Sequence, residues 1–489
     1  AFLDQAWDPD RADPDWIARY PAAWAAEQFG PAHAREIGEI LTAYTRYNAR
    51  RKPELVDADT WSLLHDREAE RVLAEWDALE QRTLALAGRI PASHRDAWVQ
   101  LVEYPVLASA NLNRLHIAAA RNRLYAAQGR ASANRWADET RRLFERDAEL
   151  QRLYEHGIAG GKWIHMMSQA RIGYTHWQQP ERNVLPPLAQ VDVPERGVTG
   201  VAVEGDARGW PRPAQSPRVP PLDPVAATTR AIVVYNRGRQ PVGFTARSTV
   251  PWLKVAPESG EVPDALELDL AVDWSKLSEG EHEAVVAIRG SDRTEVYVRV
   301  PVRKPPAHPG ARGFVEGDGV VAIEAARHAR AVPPPGGEWQ EIPNLGRTLS
   351  GVTAWPATGP ALEPGGDGAR LEYPLVLDAA AEVEVRVVVS PTLDFRNRGG
   401  LRYAVSLNDG EPQLVNVRLD PTPGDRDFQA WERAVIDSVH VARSRHAATA
   451  GANTLKLWLV DPGLVFQRIE VVTTPRERGT LGPVESRRR

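Results

Sequence analysis

The chain has 489 residues, a mass of 54.0 kDa, a formal net charge of −5 and no cysteine. This size suits about three globular domains at roughly 100–200 residues each. The missing cysteine excludes disulfides, thiolate zinc sites and cysteine nucleophiles, and the mild negative charge argues against a face that condenses on nucleic-acid phosphates. No stretch approaches the roughly 20 apolar residues of a membrane-spanning helix, and the opening AFLDQAWDPD lacks the basic start and apolar run of a signal peptide.

Residues 1–185 read as an α-helical bundle. Ile37, Ile40, Leu41, Tyr44 and Tyr47 recur at helical spacing, as do Ala69, Val72, Leu73, Trp76, Leu79, Thr83 and Leu86. A third stripe runs Trp136, Thr140, Leu143, Phe144, Asp147, Leu150 and Tyr154, and Arg, Glu, Asp and Gln fill the wet faces between. Gly30-Pro31, Ile90-Pro91 and Gln128-Gly129 punctuate the segments, so short links join antiparallel helices.

Residues 186–309 join a Pro-rich connection to an immunoglobulin-like β-sandwich. The stretch WPRPAQSPRVPPLDP cannot be long helix or central strand, because each proline fixes φ and lacks a donor. Beyond it, Leu266, Leu268, Leu270, Val272 and Trp274 alternate with charged or small residues, as do Val296, Val298, Val300 and Val302, with Trp252 as a core anchor. Residues 310–475 read as a second sandwich of the jelly-roll, galactose-binding-like kind: Val383, Val385, Val387 and Val389 point one way, and Asn408-Asp409-Gly410 is a hairpin turn. Residues 476–489, RERGTLGPVESRRR, are expected to be a disordered basic tail. The fold class is thus multidomain α+β: a helical bundle, then two antiparallel sandwiches.

The most unusual segment is GGKWIHMMSQARIGYTHWQQPERN, Gly160 to Asn183, which holds both methionines of the chain. Trp163, His165, Met166, Gln169, Tyr174, Trp177 and Asn183 are its candidate substrate-binding or cleft-lining residues, since rings with polar tips suit sugar contacts. An interdomain plug, with the aromatics and methionines packed away, explains the same composition. His165 and His176 stand eleven positions apart with no carboxylate until Glu181, which falls short of a metal-ligand set. Neither a metal nor a cofactor is expected. A second dense patch, Tyr44 to Asn48 and Arg50 to Glu54, either binds a carboxylate through its arginines or offsets a helix dipole. No carboxylate pair stands out as a glycosidase acid and base; Glu204 and Glu316 read as strand-to-turn residues. GxxxxGK[ST], HExxH and GxSxG are all absent.

GGKWIHMMSQARIGYTHWQQPERNVLPP resembles the signature segment of glycoside hydrolase family 115, the xylan α-1,2-glucuronidases. EQFGPAHAREIGEILTAYTRYNARRKPELV and YPVLASANLNRLHIAAARNRLYAAQGR are similar to the family's helical domain; SPTLDFRNRGGLRYAVSLNDGEPQLVNV and NTLKLWLVDPGLVFQRIEV are similar to its C-terminal sandwich. The family pattern has Asn at Ile164, Asp at Ser168, Thr-His at Ala170-Arg171 and Tyr at His176, so ligand contacts there differ. The resemblance implies a larger enzyme whose catalytic carboxylates sit in a (β/α) barrel not present in these residues, so no catalytic residue is assigned. It also implies removal of 4-O-methyl-glucuronate from glucuronoxylan or its oligosaccharides, a homodimer, and a secreted or periplasmic location. No nucleic-acid or membrane partner is expected. The alternative is a stand-alone xylan-binding or dimerisation module without hydrolytic activity.

Overall fold

A computed structural model describes residues 2–8, 10, 14–175, 178–424 and 428–489. Its front third holds helices α1 (Phe2–Trp7), α2 (Pro14–Phe29), α3 (Ala34–Asn48), α4 (Glu68–Ala87), α5 (Arg95–Trp98), α6 (Tyr104–Gln128) and α7 (Ala133–His156). The apolar stripes face inward: Ile37, Ile40, Val72, Trp76, Leu86 and Leu150 are sealed in one core. α5 runs into α6 through a wide π turn at Val99–Glu103. Pro105 has no N–H to give the preceding turn, and the helix widens there. α6 lies against both α4 and α7 and is buried on most of its surface.

Buried polar groups on α6 organise what surrounds it. Asn113 Oδ1 accepts from Trp61 Nε1 at 2.8 Å, and Asn111 Nδ2 donates to the Leu143 carbonyl at 2.9 Å. Asn122 pairs with both backbone groups of Ala189, accepting at 2.8 Å and donating at 2.9 Å. On α7, half-buried Asn134 does the same for Val191 at 2.9 and 3.0 Å. The strandless connection is therefore held to the bundle by two side chains that mimic a neighbouring strand.

The first sandwich contains β1 (Thr199–Val203), β2 (Ile232–Asn236), β3 (Val242–Ser248), β4 (Leu253–Ala256), β5 (Ser259–Val262), β6 (Ala265–Val272), β7 (Gly280–Gly290) and β8 (Glu295–Lys304). Its sheets are ordered β1-β2-β6-β4 and β5-β3-β7-β8. Leu268, Leu270, Val296, Val298, Val300 and Val302 fill the space between them, with Trp252 half-buried at the margin. The Pro-rich stretch lies parallel to the edge of β8, pairing Arg218 with Arg299 and Leu222 with Val302. An edge is where proline-interrupted chain can bond to a sheet.

The second sandwich contains β9 (Phe314–Val315), β10 (Val320–Glu324), β11 (Arg330–Val332), β12 (Glu338–Ile342), β13 (Gly351–Trp355), β14 (Arg370–Leu377), β15 (Ala381–Val389), β16 (Leu401–Leu407), β17 (Gln413–Val417), β18 (His440–Ala448), β19 (Gly451–Leu459) and β20 (Val465–Val472). The two sheets are β12-β13-β20-β15-β18 with β10 on β20, and β11-β14-β19-β16-β17 with β9 on β14. The alternating valines of β15 and leucines of β19 meet between them. A helix not foreseen in the sequence, α8 (Phe428–Asp437), precedes β18.

The tail departs from expectation. Residues 476–489 are not disordered; they tie the helical bundle to the second sandwich. Arg478 meets Asp66 at 3.0 Å and Asp318 at 2.7 Å. Leu481 is buried in the helical core, and its N–H reaches the buried carboxylate of Glu68. Val315 N–H then donates to the Arg487 carbonyl at 2.8 Å, and Arg489 N–H to the Gly313 carbonyl at 2.9 Å. Of the charges that suggested a solvated tail, Arg476 and Arg478 are used in pairs with acidic groups far away in the chain.

Candidate functional site

The signature segment leaves α7 at Gly157 and folds back irregularly over the bundle. Gly160 and Gly161 take positive φ values of 62° and 81°, which opens the turn. The floor beneath it is an ion pair. Arg171 Nη2 lies 2.7 Å from Asp147 Oδ2, and Nη1 donates to the Met167 carbonyl at 2.6 Å. Asn183 completes the arrangement: its Oδ1 accepts from the Arg171 and Ile172 N–H groups at 2.7 and 3.1 Å, and its Nδ2 donates to Asp147 at 3.3 Å. Burial opposes the charge on Arg171, but the hydrogen bond and field of Asp147 outweigh it and hold the guanidinium above its ordinary pKa. Glu155, also buried, accepts from Met167 N–H at 3.2 Å.

Above this floor is a groove of about 580 Å³ between the segment, the start of α6 and the end of α3. Met166, Gln169 and Tyr174 line it together with Tyr44, Tyr104 and Ser109. Gln169 Nε2 donates to Tyr174 Oη at 3.1 Å, which fixes the rim. Burial pushes the Tyr104 hydroxyl up to about 12 and also raises that of Tyr44, so both remain neutral donors at physiological pH. The segment and the Tyr44–Glu54 patch, read separately in sequence, thus form one site.

Not every sequence candidate lines the groove. Trp163 packs half-buried on the helical core, with Lys162 Nζ 4.9 Å above its ring. His165 is exposed at positive φ, 73°. Asn183 acts in the floor, as a positioning residue. Trp177 and His176 lie outside the described residues. Met167 packs on the helical core and also borders the groove. Sequence reasoning did not single out Tyr104, Asp147 or Arg171 as site residues. A usable signal existed for Asp147, a carboxylate standing in an otherwise dry helical stripe.

The groove offers flat or polarisable faces and neutral hydrogen-bonding tips. Of its charged lining groups, Asp147 and Arg171 are engaged with each other and Glu54 adds a carboxylate at the border, so the groove presents no free cation and its recognition chemistry suits a polar ligand without negative charge. No group of three or more His, Asp or Glu side chains suited to a metal occurs among the described residues.

Three sequence profiles match the chain. Residues 313–485 match the glycosyl hydrolase family 115 C-terminal domain, residues 1–55 match glycosyl hydrolase family 115, and residues 222–300 match a viral BACON domain. No curated protein matches. Among solved structures, a family GH115 4-O-methyl-α-glucuronidase, BtGH115A, with specificity for decorated arabinogalactans, is 15% identical with a TM-score of 0.54. That likeness covers 97% of this chain and 44% of the other, so this chain spans under half the length of that enzyme. The C-terminal CBM6 of a laminarinase from Zobellia galactanivorans is 15% identical over 31% of this chain and 98% of its own, TM-score 0.21. A family 35 carbohydrate-binding module from Clostridium thermocellum is 13% identical over 31% and 97%, TM-score 0.22. The two family 115 profile matches, at opposite ends of the sequence, support a member of glycoside hydrolase family 115, and residues 313–485, which hold the second sandwich, match that family's C-terminal domain.

Proposed function

We propose that these residues are the helical and sandwich portion of a family 115 α-glucuronidase, and that the groove over α6 seats the uncharged main chain of its glycan. The observation that carries the reading is the closed Arg171–Asp147 pair under a rim of tyrosine, methionine and glutamine. A rim of that kind stacks on pyranose faces and hydrogen-bonds hydroxyls, while recognition and cleavage of the uronate belong to a barrel domain. In this role the chain buttresses the barrel, borders the cleft and contributes to a homodimer. By family likeness the protein works outside the cytoplasm, on glucuronoxylan; among the described residues no helix is long and apolar enough to cross a membrane.

Calorimetric titration with linear xylo-oligosaccharides tests the groove. Binding is expected and is expected to weaken at least tenfold in Tyr174→Ala. Arabinogalactan-derived oligosaccharides form the second arm. Failure of both glycan types to bind removes the groove from the reading. Release of glucuronate from glucuronoxylan by the rigorously purified chain would refute the assignment of catalysis to another domain.

A further inference from the structure

A second site lies where the helical bundle meets the first sandwich, remote from the groove. Arg130 follows the C-terminus of α6 and is 5% exposed. Its guanidinium is held between two rings, 4.1 Å from the centroid of Tyr125 and 4.4 Å from that of Tyr235. Nε donates to Gln128 Oε1 at 2.6 Å. The Gln128 amide is itself fixed, donating to the carbonyls of Ala207 at 3.1 Å and Arg208 at 3.4 Å. Tyr235 is fixed too, its hydroxyl donating to the Gln128 carbonyl at 3.1 Å. Both faces and the Nε edge are occupied. What remains is the in-plane edge carrying Nη1 and Nη2, for which no partner is found among the described residues.

Arg130 lines a cavity of about 150 Å³ at this junction. Four carboxylates share its wall, but each already lies within 4 Å of another arginine. Glu204 meets Arg230 at 2.7 Å, Asp206 meets Arg208 at 2.7 Å, Glu267 meets Arg67 at 2.9 Å, and Glu70 meets Arg121 at 3.8 Å. Arg130 is the surplus cation. Its neighbours reinforce the excess: Arg212 and Arg237 flank Gly129, and neither has an ion pair among the described residues. The Arg237 Nε is buried without a partner.

A guanidinium cannot shed its proton in a protein, so burial without a counter-ion leaves a standing electrostatic cost. An oxyanion removes that cost. Two parallel N–H groups on one edge match the two oxygens of a carboxylate or phosphate, which is the bidentate geometry that makes arginine selective for them. The rings above and below block any other approach. We propose that this junction is a binding site for a small oxyanion, held bidentate by Arg130 and clamping the helical bundle to the first sandwich.

Thermal unfolding and calorimetry of the full chain test this, at constant ionic strength set with sodium chloride. Sodium phosphate, sodium acetate and sodium glucuronate are the probes. At saturation the expected rise in midpoint is roughly 2–4 °C over chloride, with one site per chain by calorimetry. Arg130→Lys keeps the charge but loses the fork, and it is expected to weaken binding at least tenfold; Arg130→Gln is expected to abolish it. A response to phosphate alone identifies an inorganic ion as the occupant, and a response to acetate and glucuronate identifies a carboxylate. The proposal fails if no probe gives saturable heat with the wild-type chain, a measurement that needs no variant to fold. It fails equally if the response persists in Arg130→Gln.

Discussion

Arg171 and Asp147 join the signature segment to α7 through a contact of 2.7 Å that closes from both sides: Asn183 bonds the same carboxylate and the backbone of Arg171 itself. Replacing Asp147 by Asn leaves a largely buried guanidinium without its counter-charge. For fully buried pairs such truncation costs about 3–5 kcal/mol; with Arg171 one-fifth exposed, about 2–3 kcal/mol is expected here after allowing for solvent screening. Urea denaturation reads the loss, and limited proteolysis should cut first within residues 160–183. Unchanged cleavage there would show that the pair does not hold the segment.

Asp378 predicts a pH dependence at the joint between the sandwiches. Burial, and then the neighbouring Glu316, push its carboxyl up to about 7, while Arg303 pulls it down. Arg303 reaches Glu316 at 3.4 Å and Asp378 at 3.2 Å; Asp223 and Arg489 contribute weaker fields. The folded protein therefore holds this proton more tightly than the unfolded chain does. Its stabilising contribution is full below the ordinary carboxyl pKa of 3.8 and is lost as pH rises through about 7. Asp378→Asn, permanently neutral, should melt a few degrees above the wild type at pH 8, and the difference should shrink towards pH 5. A gap that instead widens on acidification would contradict this assignment.

Truncation after Pro475 should be far more damaging than loss of a basic tail. It removes Leu481 from the helical core, Arg478 from Asp66 and Asp318, and the strand-like pairing of Arg487 and Arg489 beside Phe314. Calorimetry should show a lower midpoint and a single transition splitting into separate ones. Retention of one sharp transition at the wild-type midpoint would count against the tail as a tie.

Asn122→Ala removes the side chain that answers both backbone groups of Ala189. Leaving such groups unpaired costs about 1–3 kcal/mol each when they are buried. A net loss of roughly 2 kcal/mol is expected, with faster amide exchange at Ala189 as the local readout. Asn122→Asp should recover only the bond to the Ala189 N–H.

Helices α3, α4 and α7 were legible in the sequence because each buries one face and wets the other. α6 shows no such stripe, because it is enclosed on most sides and its asparagines have partners far away in the chain; its end at Gln128-Gly129 and the family resemblance marked it instead of periodicity. The alternating valines of β15 marked an inward face for the same reason that α3 was readable. The site was half legible. Met166, Gln169 and Tyr174 were singled out by composition, but their union with Tyr44 and Tyr104 depends on how α3 meets α6. Arg171 sits where the family pattern has histidine, and Asp147 had already been placed in the dry stripe of α7; nothing local links them. The tail was misjudged because Arg478 finds Asp66 across 412 positions of chain, while its immediate neighbours look solvated.

The seating of Leu481 sets a timetable for biosynthesis. The bundle is translated early, yet Glu68 must wait 413 residues for the amide that caps it. At about 5–20 residues per second, the nascent helices spend roughly 20–80 s with an open seam at that position. During that interval a ribosome-associated chaperone, or the stretch of polypeptide just upstream, has the opportunity to occupy it.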